Sequence, residues 1–236
     1  MAHATLNAES EYRLLQERLD RNVTGAPRSE AMMRVLRLLF SPEEAHIARV
    51  LPQLISLPDL ADRLDADLEE LGERITSMAE RGLVLDFERK GIRYVVPTPV
   101  VIGFFEFTFM RTRPEEPMEE YAQAFEALFD EENFARSIFS GSTQIGRSLV
   151  REEVLPDGDT EILDWERATE IVRNADAVAV SLCPCRADAN LRGEGCDAPL
   201  RTCLMFGNSA RLLARAGIAE TITNDEAMEI LVEAKA

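Results

Sequence analysis

Residues 57–96 have the sequence LPDLADRLDADLEELGERITSMAERGLVLDFERKGIRYVV, and their pattern predicts the architecture of the N-terminal half. A short helix is expected over 57–64 and a longer one over 68–80, separated by a turn. Two runs rich in apolar and β-branched residues then flank the Lys90-Gly91 turn, which is typical of a β-hairpin. The stretch is therefore expected to fold as helix, turn, helix and hairpin.

This order of elements resembles the winged helix-turn-helix. In proteins that read DNA with such a module, the second helix offers basic and amide side chains to phosphates and base edges. Here the second helix and its end carry more acidic than basic side chains: Glu69, Glu70, Glu73 and Glu80 against Arg74 and Arg81. We therefore expect a scaffold for protein docking or dimerisation rather than a DNA-binding surface.

Helical patterns extend on both sides of this module. Residues 1–24 predict a docking helix, and Ser29 and Ser41 are each expected to cap a further helix. Beyond Pro97-Thr98-Pro99, a phenylalanine-rich stretch is interpreted as core packing and is followed by a long helix. An extended segment is predicted at 147–156 and a helix at 165–174.

The expected fold class is α+β and mostly helical, with three units. Residues 1–98 form the N-terminal helices and the winged-helix domain, residues 99–146 a helical connector, and residues 147–236 a cysteine-containing α/β domain.

Composition and charge restrict the class of protein. Hydrophobic residues make up 46% and charged residues 29% of the chain, which indicates a folded globular protein. The net charge of −17 disfavours binding to duplex DNA and to anionic membranes. No apolar run is long enough to span a bilayer, and the N-terminus lacks the features of a signal peptide. We expect a cytoplasmic protein, in which thiols stay reduced.

All the cysteines lie in one short segment, as Cys183, Cys185, Cys196 and Cys203 with the spacing C-x-C-x10-C-x6-C. A run at 177–182 predicts a strand that ends just before them, so that the ligands emerge from a rigid element. Concentration of every thiol in one segment indicates a ligand role. A disulfide framework is disfavoured in a reducing compartment.

Two kinds of metal centre stay open at this point. Structural zinc sites usually take their ligands from two C-x2-4-C knuckles, and this chain has a single close pair. An iron–sulfur cubane binds four thiolates at mixed spacings. Arg186, Arg192 and Arg201 could offset its negative charge, while Gly193 and Gly195 let backbone amides approach its sulfurs. The residues favour an iron–sulfur cluster over zinc.

Several motifs resemble those of a known family. They are Cys183-Pro-Cys185-Arg186, Gly195-Cys196-Asp-Ala-Pro199 and Cys203-Leu-Met-Phe-Gly207, followed by the segment 217–231. They are similar to iron–sulfur binding proteins of the 4Fe-4S ferredoxin type that carry an N-terminal winged-helix region. The resemblance extends from Met32 to the C-terminus. It implies that Cys183, Cys185, Cys196 and Cys203 ligate one [4Fe–4S] cluster.

The chain departs from that family in one respect. Many members continue into a further cysteine-rich ferredoxin module, whereas this chain ends at Lys235-Ala236. We therefore expect a single cluster here and a redox partner protein that carries the next centre.

The expected function is one-electron transfer without a substrate of its own. The chain has no dinucleotide, P-loop or nucleophile-elbow motif, and its histidines, His3 and His46, are far apart in sequence. The winged helix and the acidic surface would dock the protein to a basic redox partner or to a second copy of itself. Two alternatives stay open: a cluster-dependent transcriptional regulator that senses redox state, and a structural zinc protein.

Overall fold

A computed structural model describes residues 6–141, 145–146 and 167–234. The described chain is α+β and mostly helical, which confirms the expected class. The N-terminal part contains the helices α1 Ala8–Leu19, α2 Glu30–Leu39, α3 Pro42–Val50, α4 Leu57–Leu64, α5 Leu68–Glu80, α6 Phe105–Phe109, α7 Met118–Phe129 and α8 Glu132–Phe139, with the strands β1 Ile55–Ser56, β2 Val84–Arg89 and β3 Ile92–Pro97. The C-terminal part contains α9 Ala168–Arg173, β4 Val178–Ser181, α10 Pro184–Leu191, β5 Cys203–Phe206, α11 Gly207–Arg215, β6 Glu220–Ile222 and α12 Asn224–Glu233.

Helix starts lie where the capping residues predict them. The Ser29 hydroxyl accepts from the Met32 N–H at the start of α2. Ser41 and Glu44 form a reciprocal capping box at α3, in which each side chain accepts from the backbone N–H of the other. These side chains satisfy N–H groups that the first turn of a helix leaves unpaired. Ser29 and Ser41 are thus confirmed as caps.

The predicted hairpin forms the larger part of the first sheet. β2 pairs antiparallel with β3 in a register that sets Val84 opposite Pro97 and Arg89 opposite Ile92. The Gly91 φ of 74° in the turn lies in the left-handed region that glycine tolerates. β1 adds to the other edge of β3, giving the order β1-β3-β2. The bounds of α4 and α5 agree with the predicted helices at 57–64 and 68–80.

Phenylalanine rings join the first sheet and its helices to α6 and α7. The Phe104 ring lies edge-on to Phe40 with centroids 5.8 Å apart, and Phe105 meets Phe129 at 4.7 Å and 89°. Phe125 contacts Phe105 at 5.1 Å and also packs against Phe109. The predicted role of these phenylalanines in packing is confirmed, and the hydrophobic core continues across residue 98.

The second sheet has the order β5-β4-β6, with β4 in the centre and antiparallel to both neighbours. α6 joins it to the rest of the molecule, because Phe105 and Phe109 belong to the phenylalanine-rich core while Phe107 packs in a separate cluster with residues of the second sheet and its helix: Met205, Leu213 and Ile218. α9 lies within the helix predicted at 165–174, while the extended segment predicted at 147–156 lies outside the described residues.

Among the helices that the structure describes, none has the length and apolar character needed to cross a lipid bilayer.

The backbone of Gly82, just after α5, lies against the Phe107 side chain of α6. Its φ is +76°, and a Cβ there would lie 2.3 Å from the Phe107 Cβ. Gly82→Ala should lower the free energy of unfolding by about 2–5 kcal/mol, since it adds an overlap to a left-handed conformation. Gly91→Ala is the matched control, because Gly91 has a similar φ of +74° but a Cβ added to it would have no other atom within 4 Å. That variant should lose only about 1–2 kcal/mol.

Urea denaturation measures both variants. Equal losses of stability for Gly82→Ala and Gly91→Ala would contradict the described contact between Gly82 and Phe107.

Candidate metal centre in the cysteine segment

The first two cysteines lie where a buried strand passes into a helix. β4 is buried along its length and is followed by Leu182, whose N–H donates to the Met110 carbonyl at 3.0 Å. The Cys183 N–H donates to the Leu200 carbonyl at 2.6 Å. Cys183 is then the N-cap of α10, and Pro184 occupies the first turn, where its missing N–H costs nothing. Both ends of this junction are therefore anchored by backbone hydrogen bonds.

Strand pairing brings the last cysteine to the same place. Cys203 opens β5 directly opposite Ser181, the final residue of β4. Its side chain is half-buried, and burial is the main reason that its pKa is raised. The negative charge of Cys183 raises this pKa further, while a hydrogen bond with Ser181 opposes the shift. Cys203 and Cys183 are thus electrostatic neighbours although α10 separates them in sequence.

The Cys183 and Cys185 side chains affect each other's pKa in opposite directions. A hydrogen bond from the Cys185 thiol lowers the pKa of Cys183 to about 6, helped by the N–H groups and the positive charge of Arg186 in the first turn of α10. The same bond raises the pKa of Cys185, because its proton is held against the Cys183 sulfur. A helix N-terminus favours a thiolate for the same electrostatic reason. Cys183 is therefore the preferred thiolate of this pair.

Glu106 is a residue that the sequence analysis missed. It lies on α6, accepts from the Gly103 N–H at 2.7 Å, and raises the pKa of both Cys185 and Cys203 by its charge. Burial raises the pKa of Glu106 itself. A single carboxylate within a run of phenylalanines was the signal that could have identified it, since such a residue is seldom buried without a role.

The three arginines of the segment have different partners. The Arg186 guanidinium binds the Pro199 carbonyl and lies 3.4 Å from the Thr202 hydroxyl, which ties the start of α10 to the loop before β5. Arg192 forms ion pairs with three carboxylates, those of Asp188, Glu126 and Glu194. Arg201 forms an ion pair with Glu220. Of these arginines, Arg186 is the one that helps to lower the pKa of Cys183.

Cys196 stands apart from the other three thiols. It is exposed in the loop between α10 and β5. The preceding residue, Gly195, packs closely on α10, because a Cβ added to it would lie 1.5 Å from Asn190 Oδ1. Within residues 6–141, 145–146 and 167–234, no three His, Cys, Asp or Glu side chains are spaced to hold a metal ion. The charge of Cys183 thus acts on both Cys185 and Cys203, while Cys196 is exposed in the loop.

Comparison with known proteins gives no match to a family model, a curated protein or a solved structure. A conclusion about function therefore depends on the residues of the segment and on their chemistry.

The lowered pKa of Cys183 predicts the thiol reactivity of the metal-free protein. Alkylation of Cys183 by iodoacetamide should reach half its maximal rate near the pKa of about 6, because the thiolate is the nucleophile. Cys185→Ala removes the donated hydrogen bond, so the midpoint should rise toward about 8.5, the value for a free cysteine. Tandem mass spectrometry of the tryptic peptide assigns the alkylated residue.

Cys196→Ala is the control and should leave the midpoint at Cys183 unchanged. A midpoint that does not rise in Cys185→Ala would contradict the described hydrogen bond between the two thiols.

Proposed function

We propose that the chain is an iron–sulfur protein in which Cys183, Cys185, Cys196 and Cys203 hold one [4Fe–4S] cluster. The observation that carries the proposal is the pairing of β4 with β5, which sets Cys203 opposite Ser181, two residues before Cys183, whose pKa is lowered at the start of α10. Soft thiolates are the usual ligands of iron–sulfur clusters. Such a cluster supplies one-electron transfer when bound.

The surroundings support a thiolate-rich anionic group. The first turn of α10 directs backbone N–H groups toward the Cys183 sulfur, and the Arg186 charge lies close to it. Hydrogen bonds and positive charge beside the sulfurs are the means by which a protein tunes a cluster. Glu106 acts in the opposite direction, because a carboxylate beside the thiols disfavours additional negative charge there.

Closure of the site requires the exposed Cys196 to join the other thiols. Its loop is tied to the helix start by Arg186, whose guanidinium binds the Pro199 carbonyl, and by the Cys183 N–H, which donates to the Leu200 carbonyl. A ligand loop that closes on its metal is common, since binding and local folding are coupled in metal sites. In this proposal the loop moves Cys196 toward Cys183, Cys185 and Cys203, and the four thiols close on the cluster as it binds.

We propose further that residues 57–97 form a winged helix-turn-helix used for docking to protein. The order α4, α5, β2 and β3 and the antiparallel hairpin support this assignment. The solvent face of α5 carries Glu69, Glu70, Glu73 and Glu80, which are all exposed. An acidic face repels phosphates and attracts a basic protein surface, which steers association. The partner would then be a basic redox protein that accepts or supplies the electron.

The test of the cluster is the iron and sulfide content of protein purified without oxygen. We expect about four of each per chain and a brown colour. Alanine variants of Cys183, Cys185, Cys196 or Cys203 should each lose most of the iron or yield a different cluster spectrum. Ser209→Ala is the control, because Ser209 is exposed on α11 and should leave the content unchanged.

A colourless protein with one zinc per chain would overturn the proposal in favour of a structural zinc site. An unchanged spectrum in Cys196→Ala would remove Cys196 from the ligand set.

A further inference from the structure

A cavity of about 670 Å³ lies between α10 and residues 109–120. Its apolar wall is formed by side chains from both elements and from the strand ends: Phe109, Met118, Leu182, Ala187, Leu191 and Leu200. Cavities that hold small organic ligands have volumes of about 300–1,000 Å³ and mostly apolar walls with a few polar groups. The cavity thus has the size and surface of a small-molecule site.

Arg113 is a lining residue of this cavity that has few hydrogen-bond partners. Its side chain is only 7% exposed, and its Nε–H has no acceptor among the described residues. One amino group donates to the Thr108 carbonyl at a long 3.5 Å, and the other lies 3.9 Å from the Glu116 carboxylate. A guanidinium has five N–H donors, and burying them without acceptors is unfavourable. Arg113 therefore offers donors that a bound anion could satisfy.

The start of α7 provides a second donor group at the same wall. This helix has no side-chain cap, and within the described chain no carbonyl accepts from the N–H groups of Glu119 and Glu120. Residues 117–120 line the cavity. Unpaired N–H groups and the helix dipole make such a start favourable for an anion. The helix start and Arg113 are independent features that favour the same kind of ligand.

The nearby carboxylates leave these donors available. Glu116 accepts from the Tyr121 hydroxyl at 2.7 Å and lies 3.9 Å from the Arg113 amino group, too far to accept a hydrogen bond from it. The side chains of Glu119 and Glu120 are exposed to solvent. Arg111 adds a second cation to the wall, and its Nε–H also has no acceptor among the described residues.

We propose that this cavity binds a small organic acid. Its apolar body would lie against the wall formed by α10 and Leu182, and its carboxylate would accept from Arg113 and from the start of α7. An inorganic anion would leave the apolar wall uncovered, and a neutral molecule would leave the guanidinium unpaired. The site uses none of the cysteines, so the proposal stands independently of the cluster.

The test is isothermal titration calorimetry of the purified protein at neutral pH with three probes. They are 2-naphthoate, its neutral isostere 2-naphthamide, and sulfate. We expect 2-naphthoate to bind about tenfold more tightly than 2-naphthamide, because a charge-assisted hydrogen bond distinguishes them. Sulfate should show no binding that competes with 2-naphthoate.

Two variants locate the site. Arg113→Gln should reduce the affinity for 2-naphthoate about tenfold, to that of 2-naphthamide, while Ala187→Leu should weaken both by filling the cavity. Arg136→Gln is the control, because Arg136 is exposed on α8 outside the cavity, and it should bind as the parent does. Circular dichroism checks the folding of each variant, and Ala187→Leu keeps the test decisive if Arg113→Gln unfolds.

Equal affinities for 2-naphthoate and 2-naphthamide would overturn the proposal. Unchanged binding of both probes to a folded Ala187→Leu variant would also overturn it.

Discussion

The antiparallel pairing of β4 with β5 is the contact on which the cysteine site depends. The register sets Ser181 opposite Cys203, and Cys183 follows two residues after Ser181. Without this pairing, α10 and the following loop would separate the first and last thiols. Because β4 is the buried central strand of its sheet, the position of these cysteines is set by the core of the C-terminal part and not by a surface loop. Side chains held in this way are positioned by a rigid element of the fold.

α6 connects that site to the N-terminal half. One side of the helix packs through Phe105 into the phenylalanine-rich core, and Phe107 packs against the second sheet. Between them in sequence lies Glu106, whose charge acts on Cys185 and Cys203. The same short helix therefore holds the two halves together and contributes to the electrostatics of the thiols. Its neighbour, residues 109–120, forms one wall of the cavity beside α10.

Local signals in the sequence were sufficient for much of the N-terminal half, because caps, helical periodicity and a two-residue turn act over a few residues. Ser29, Ser41 and the Lys90-Gly91 turn are examples. The C-terminal part was harder to predict. α10 begins at Cys183-Pro184 without a conventional capping side chain, and the short strands β5 and β6 exist through pairing with β4. Glu106 reaches the thiols only through tertiary packing, which no local pattern encodes.

Native mass spectrometry of the chain purified without oxygen tests the central claim most directly, because it weighs the bound group on the intact protein. The account predicts that the chain carries the mass of one [4Fe–4S] unit, and that Cys183→Ala removes this mass. A chain that carries one zinc ion, or no added mass when prepared and reconstituted with iron and sulfide without oxygen, would contradict it.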